Sequence, residues 1–273
     1  MLTLRYKGTT TIPIEAECIR PDVLAGKTPS EIALLPVQHG NAPEPLGAFF
    51  TVTGDAADEA ITIEGDCRRV KWIGAGMTRG RITVNGPVGM HLGAEMAGGE
   101  IIVHGDAGDW VGAEMRGGRI HIHGNAGHLV GAAYRGSRFG MRGGVILIEG
   151  SAGNEIGGGM RRGLIVVGGD AGDFAGVSLI AGTIFLFGKP GLRLAAGMKR
   201  GTVALFGSAD PPALLPTFRF ACRYRPTFLL LYLRQLAAWG FPLRGDYCRG
   251  ECARYCGDLV ALGKGEVLWW LPA

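Results

Sequence analysis

With 273 residues, 47% of them hydrophobic and 19% charged, the chain has the apolar content to bury a core, which excludes an intrinsically disordered protein. A net charge of +4 is too mild for a polyanion-coating surface, and no run of about 18 uncharged apolar residues exists to cross a membrane. Glycine is the outlier at 48 residues, yet it lacks collagen's period of three.

The chain opens with MLTLRY, which has no signal-peptide apolar core, so a cytoplasmic protein with reduced thiols is expected. Residues 1–53 carry no repeat and read as a cap segment, with strands over 2–6 and 10–14. A helical turn follows in PSEIALL (29–35), with Ser30 as its N-cap. FFTVTG (49–54) and AITIEG (60–65) read as degenerate first copies of what comes next.

From Gly65 the chain spells one unit again and again, restarting at Gly86, Gly105, Gly124, Gly150, Gly169 and Gly188, with a stub at Gly207. Five of the seven units are nineteen residues long; the first has two extra residues near 71–72 and the fourth has seven, at 133–139. The consensus G-x-A-G-x-x-x-G-A-x-M-x-x-G-x-I-x-V-x ends in a short alternating run such as RIHIH (119–123). One such unit cannot bury its apolar face alone, but stacked units can, each laid about 4.8 Å from the last. The expected architecture is therefore all-β: a right-handed parallel β-helix over 54–207, built from Gly-rich turns of about nineteen residues, with glycine at the corners and I-x-V runs as rungs. Alternation points Ile82/Val84 and their equivalents inward, and the row Met77, Met96, Met115, Leu179, Met160, Met198 reads as a second core stripe.

Outward rung positions are less regular. Phe185, Phe187 and Phe206 are expected to lie under the chain's own C-terminal extension, 208–273. Ile102, Leu147 and Val166, with His104, His121 and His123 beside them, are expected at a subunit interface. The extension reads as a Pro-containing linker (208–225), an amphipathic helix (225–241) stopped by Gly240 and Pro242, and a tail ending in a strand-like run.

Metal and catalytic motifs are scarce. His104 and His123 hold one outward column on adjacent rungs, with Glu149 as a third ligand within reach, but a polar ladder is the favoured reading and no metal is expected. Cys248, Cys252 and Cys256 would share one face of a helix, yet no fourth ligand is evident and no metal role is assigned. No nucleophile elbow, Walker loop or zincin motif is present, and no catalytic residue is assigned. One feature stands out. Arg79, Arg116, Arg142, Arg161, Arg162, Lys199 and Arg200 follow the methionine row and fall on one edge of the stack. Like charges on neighbouring rungs call for an anion, whether an acidic partner or a polycarboxylate ligand. Nucleic acid fits poorly, because no aromatic residues interleave with the basic ones.

The repeat resembles the GXGXG domain shared by the glutamate synthase large subunit and the C subunit of formylmethanofuran dehydrogenases. IRPDVLAGKTPSEIALLPVQHGN (19–41) with LGAFFTVTG (46–54), and the closing GDLVALGKGEVLWW (257–270), are similar to the C-subunit family. Glutamate synthase would require an N-terminal catalytic cysteine and a far longer chain. The resemblance implies a non-catalytic scaffold in a one-carbon complex with amidohydrolase-like, formyltransferase and B-type companions. In one setting the complex is a formyltransferase/hydrolase using tetrahydromethanopterin and a methanofuran-type carrier; in the other it is a molybdenum or tungsten dehydrogenase. The excess of Arg over Lys, 22 of 28 basic residues, leans towards a GC-rich bacterial source and hence the first. The chain itself is expected to bind no cofactor, although a polyglutamate carrier tail would suit the arginine edge. A free-standing anion- or sugar-binding β-helix is the remaining alternative.

Overall fold

The computed structural model describes residues 1–8, 10–207, 210–243 and 247–272. Thr9 of the cap segment, 208–209 of the expected linker, and 244–246 and 273 of the tail lie outside the described residues. In chain order the elements are β1 (Leu2–Tyr6), β2 (Ile14–Glu15), α1 (Pro21–Leu24), α2 (Pro29–Ala33), β3 (Pro36–His39), β4 (Ala42–Pro45), α3 (Leu46–Phe49) and β5 (Phe50–Gly54). The repeats supply β6 (Ala60–Glu64), β7 (Val70–Lys71), β8 (Arg81–Asn85), β9 (Glu100–Val103), β10 (Arg119–Ile122), β11 (Arg142–Ile148), β12 (Arg162–Val167), β13 (Thr183–Leu186) and β14 (Arg200–Leu205). The C-terminal extension adds β15 (Arg219–Tyr224), α4 (Thr227–Ala238), β16 (Glu251–Gly257) and β17 (Lys264–Leu271). None of the helices among the described residues is long and apolar enough to cross a membrane.

The protein is mostly sheet. One 13-stranded sheet runs β15-β16-β17-β14-β13-β12-β11-β10-β9-β8-β6-β1-β5, and its interior, from β17 to β1, is parallel throughout. Register is one repeat per rung: Ile82 faces Ile101, Ile101 faces Ile120, and Ile120 faces Ile146. Like side chains therefore stack on like, and the inward members of each rung are fully buried. The methionine row is equally buried, joined by Met141 from the fourth unit. A second parallel ladder of single bridges links Cys67, Val88, Ala107, Ala126, Ala152, Ala171 and Pro190. Corners are bonded between turns as well: Gly93 N donates to Ile73 O and Gly112 N to Leu92 O, each at 2.8 Å.

Two glycines show why the repeat is spelled as it is. At Gly105 a Cβ would press on the Gly86 backbone at 2.7 Å, so adjacent turns touch main chain to main chain. Gly112 has φ +58, and a Cβ there would lie 2.5 Å from Ile146 Cδ1. The flanking Trp110 and Glu114 adopt left-handed conformations too, at φ 64 and 54. Non-glycine residues hold that conformation only where the surroundings over-determine it, as stacking does here.

Several local expectations are corrected. Thr28, not Ser30, caps α2: its hydroxyl accepts from Glu31 N (3.3 Å) while the Glu31 carboxylate accepts from Thr28 N (2.8 Å). Pro29 then occupies the first turn, where a missing N–H costs nothing. The expected strand over 10–14 is only β2, beginning at Ile14. FFTVTG is no parallel rung, because the α3 turn reverses the chain and β5 runs antiparallel to β1. β1 instead takes the rung position, parallel to β6. The two extra residues of the first unit fall at β7, which pairs with β2 in a separate four-stranded sheet. The linker region contains β15, and the terminal run forms one more parallel rung, β17 on β14. The closing signature serves that docking: Gly265 lets β17 pass over Met198, and the buried Asp258 carboxylate accepts from Gly197 N (2.9 Å) and Val260 N (3.0 Å).

The seven-residue insertion also has a purpose. Tyr134, within it, reaches back across two turns so that its hydroxyl hydrogen-bonds His91 Nδ1 at 2.8 Å. His91 stacks on Trp72 (4.2 Å, 5°), and Tyr134 on Trp110 (4.8 Å), above the buried Ala75, Ala94 and Ala113. Burial, reinforced by the Lys71 charge and opposed by Asp109, pushes the His91 imidazolium down to about 4.

Truncating Met115 to Ala should lower unfolding free energy by about 2–5 kcal/mol in chemical denaturation, since the row has no slack to refill the void. Because His91 protonates at about 4 when folded but at its ordinary 6.5 when unfolded, acid favours the unfolded chain. Stability should fall between about pH 6.5 and 4, and denaturation midpoints of His91→Phe should lose that component of the slope.

Candidate functional site

The outward face of the rungs divides into a covered and an open part. Helix α4 lays Leu229, Leu233 and Leu236 (spaced i, i+4, i+7) against Leu147, Leu164, Val166, Phe185 and Ala204. Phe187 and Phe206 pack with Phe241 and Tyr247 of the same extension. Leu147 and Val166 are thus 0% exposed within the chain, and their expected place at a subunit interface is corrected. Their apolar column is covered from inside the chain by a helix far downstream. Ile102, two rungs beyond Leu147, remains half-buried, and His104 is exposed. An apolar groove of ≈ 500 Å³ runs along α4, lined by Val145, Leu164, Phe228, Tyr232 and Trp239. Arg119 closes in from the open part, its guanidinium 5.6 Å from the Trp239 ring.

At the boundary, three polar side chains meet. His121 and His123 lie two residues apart on and just past β10, so they project to the same side. The next rung places Glu149 beside them, and its Oε1 lies 2.9 Å from His121 Nε2 and 2.7 Å from His123 Nδ1. His104 stacks on His123 at 4.7 Å with the rings 4° from parallel. Burial and the neighbouring His123 lower the His121 pKa, against the pull of the Glu149 carboxylate. Sequence reasoning brought the three histidines together and weighed Glu149 without assigning it. The signal was positional: Glu149 occupies the column of His104 and His123 one turn later.

The basic edge is real in position but uneven in charge. Arg79 donates to Glu59 (2.8 Å) and Arg116 to Glu95 (2.9 Å), which neutralises the edge at those two rungs. Arg161 lies over the Phe139 ring at 5.0 Å, and Arg142 is half-buried beside Arg162 on the adjacent strand. Arg162, Lys199 and Arg200 are exposed and form no ion pair among the described residues. The edge gains a member that the repeat did not reveal, Lys264, opposite Arg200 in the β14–β17 pairing.

The cysteine cluster dissolves. Cys252 and Cys256 lie on strand β16 rather than on a helix, paired with Trp270 and Glu266 respectively. Cys252 is buried in the α4 core, and its thiol is pushed up to about 12 by burial and by Glu266. A four-residue spacing on a strand separates the two by about 13 Å, too far to share an ion.

Comparison with known proteins agrees with this geometry. The C subunit of the molybdenum-containing formylmethanofuran dehydrogenase 1 of Methanothermobacter thermautotrophicus is 47% identical over 87 residues, 32% of this chain and 22% of that protein. The C subunit of the tungsten-containing formylmethanofuran dehydrogenase 2 of the same organism is 43% identical over 95 residues, 33% of this chain and 35% of that protein. The chain thus spans only about a fifth to a third of the length of these curated relatives. A chain of the crystal structure of the formyltransferase/hydrolase complex from Methylorubrum extorquens, in complex with methylofuran, matches with a TM-score of 0.89 and 35% identity. That match covers 99% of each chain. The GXGXG motif family matches residues 63–211, more than half of the sequence, and the chain belongs to that family, with the formylmethanofuran dehydrogenase C subunits among its homologues.

Proposed function

We propose that this chain is the scaffold subunit, without an active site of its own, of a formyltransferase/hydrolase complex in one-carbon metabolism. Such a complex moves a formyl group from formyl-tetrahydromethanopterin to a methanofuran-type carrier and hydrolyses it to formate. The observation that carries the reading is the end-to-end likeness to a chain of the Methylorubrum extorquens complex, solved with methylofuran. Likeness to the molybdenum and tungsten dehydrogenase subunits is confined to about a third of the chain, which favours the hydrolase setting.

In this reading the repeats close into a right-handed parallel β-helix over 54–207, capped by 1–53 and flanked by the extension 208–273. Support comes from the three places where successive turns bond: the rungs, the alanine-column bridges and the glycine corners. Such a stack is stiff, because each turn is tied to its neighbours over its whole length. It suits a part that holds an amidohydrolase-like, a formyltransferase and a B-type subunit in fixed relation in the cytoplasm. Ile102 and His104, which α4 leaves open, form the surface offered to a companion. The stretch Arg162, Lys199, Arg200 and Lys264 is the segment of the basic edge suited to carboxylates, on an acidic partner or a glutamate-containing carrier tail.

Co-expression with the three companion subunits tests the reading directly. The chain should co-purify with them at fixed stoichiometry and show no formyl turnover alone; activity of the isolated chain, or its absence from the assembled complex, overturns it. The triple variant Arg162→Gln, Lys199→Gln, Arg200→Gln should weaken assembly or carrier affinity by on the order of tenfold at low salt. Titration in rising salt should bring the variant and the parent together.

A further inference from the structure

We propose that His121, His123 and Glu149 form a binding site for a single divalent zinc-class cation, with one coordination position left open. The starting point is convergence. A polar ladder running along the stack would pair each residue with its neighbour in the same column, turn after turn. Here two imidazole nitrogens from one strand, His121 Nε2 and His123 Nδ1, aim at one carboxylate oxygen of the next strand, at 2.9 and 2.7 Å. All three donor atoms lie within 4.8 Å of one another. Four-coordinate zinc with bonds of about 2.0–2.1 Å requires donors about 3.3 Å apart. Seating an ion thus asks each nitrogen to retreat from the oxygen by about half an ångström and the two nitrogens, which lie within 4.8 Å of one another, to settle at the same spacing. Two neutral imidazoles and one carboxylate are the donor set of an open zinc site, and nitrogen ligands disfavour magnesium and calcium.

The surroundings fit the assignment. His121 stands on β10, and His123 and Glu149 directly follow β10 and β11, where His123 N still donates to Val103 O and Glu149 N to Ile122 O, each at 2.9 Å, so the inter-strand ladder sets their spacing. His104, stacked parallel on His123, holds that ring in plane without offering a fourth donor at the same point. Arg119, the nearest cation along β10, is turned to Glu100, to which its Nε donates at 2.9 Å. Beyond Glu149 the column continues with Gly168, which has no side chain, and a cavity of ≈ 220 Å³ opens there. It is lined by Glu149, Gly168, Asp170, Phe187, Pro242 and Tyr247. A water molecule or small oxyanion on the ion would occupy that side.

The test uses the full chain, stripped with a chelator and titrated with Zn2+ and separately with Co2+, whose visible spectrum reports coordination number. Expected are one saturable equivalent, a four-coordinate Co2+ spectrum displaced by Zn2+, and a Zn2+-dependent rise in unfolding temperature. Glu149→Gln keeps hydrogen-bonding capacity towards both rings and so preserves the fold, yet it should lose at least about tenfold in affinity. His123→Ala should lose more, whereas His104→Ala should bind as the parent does. Absence of saturable binding, a six-coordinate spectrum, or equal affinity in the parent and Glu149→Gln would overturn the proposal.

Discussion

The structure depends on main chain meeting main chain between successive turns. Where Gly105 lies over Gly86 there is no room for a β-carbon, and the same is true at several corners of every turn. That contact fixes the register in which successive units stack, and the two longer units keep it by placing their extra residues at β7 and at 133–139. With the register fixed, every residue type acquires a column: isoleucine over isoleucine, methionine over methionine, alanine over alanine. The core is then one motif solved once and copied, and local strain such as the left-handed Trp110 and Glu114 is tolerated because each copy braces the next.

Most of that was legible in the sequence because it is periodic. Spacing of glycine and alternation of I-x-V sufficed to predict rungs, their register and their inward faces. What escaped was aperiodic. FTVTG and AITIE alternate equally well, and only the α3 turn makes one antiparallel and the other a rung. The C-x-x-x-C spacing suits a helix, but ECARYCG finds KGEVLWWL as a partner and becomes a strand. The outward column of Leu147 and Val166 announced that something must cover it. Nothing local said that the cover would be α4, reached only after β15 returns the chain to the sheet. Tyr134 likewise sits in an insertion whose sequence gives no hint that it reaches back to His91.

The same columns explain the distribution of polar residues. A surface built of stacked repeats departs from its columns only where neighbouring repeats break the pattern together, as His121, His123 and Glu149 do. Elsewhere acids recur at turn positions and hold loops, as when Asp106 accepts from Asn125 N and Asp109 from His128 N. The basic edge is intermediate: glutamates answer it at the first rungs and leave it open at the last. Rigidity, a covered flank and an open flank are properties of a part that positions others.

Both borders of the long sheet are antiparallel, β5 at one and β15 at the other, although every strand pair from β1 to β17 is parallel. A bare parallel rung would be an invitation to a second molecule, whose first turn could simply continue the pile. At one border the reversed β5 denies an incoming copy the direction it would need to add on; at the other the reversed β16 interrupts the parallel series, and β15 carries RFACRY in place of the repeat's I-x-V run. The parallel series of rungs is thereby closed off at both borders of the sheet by strands that do not repeat it.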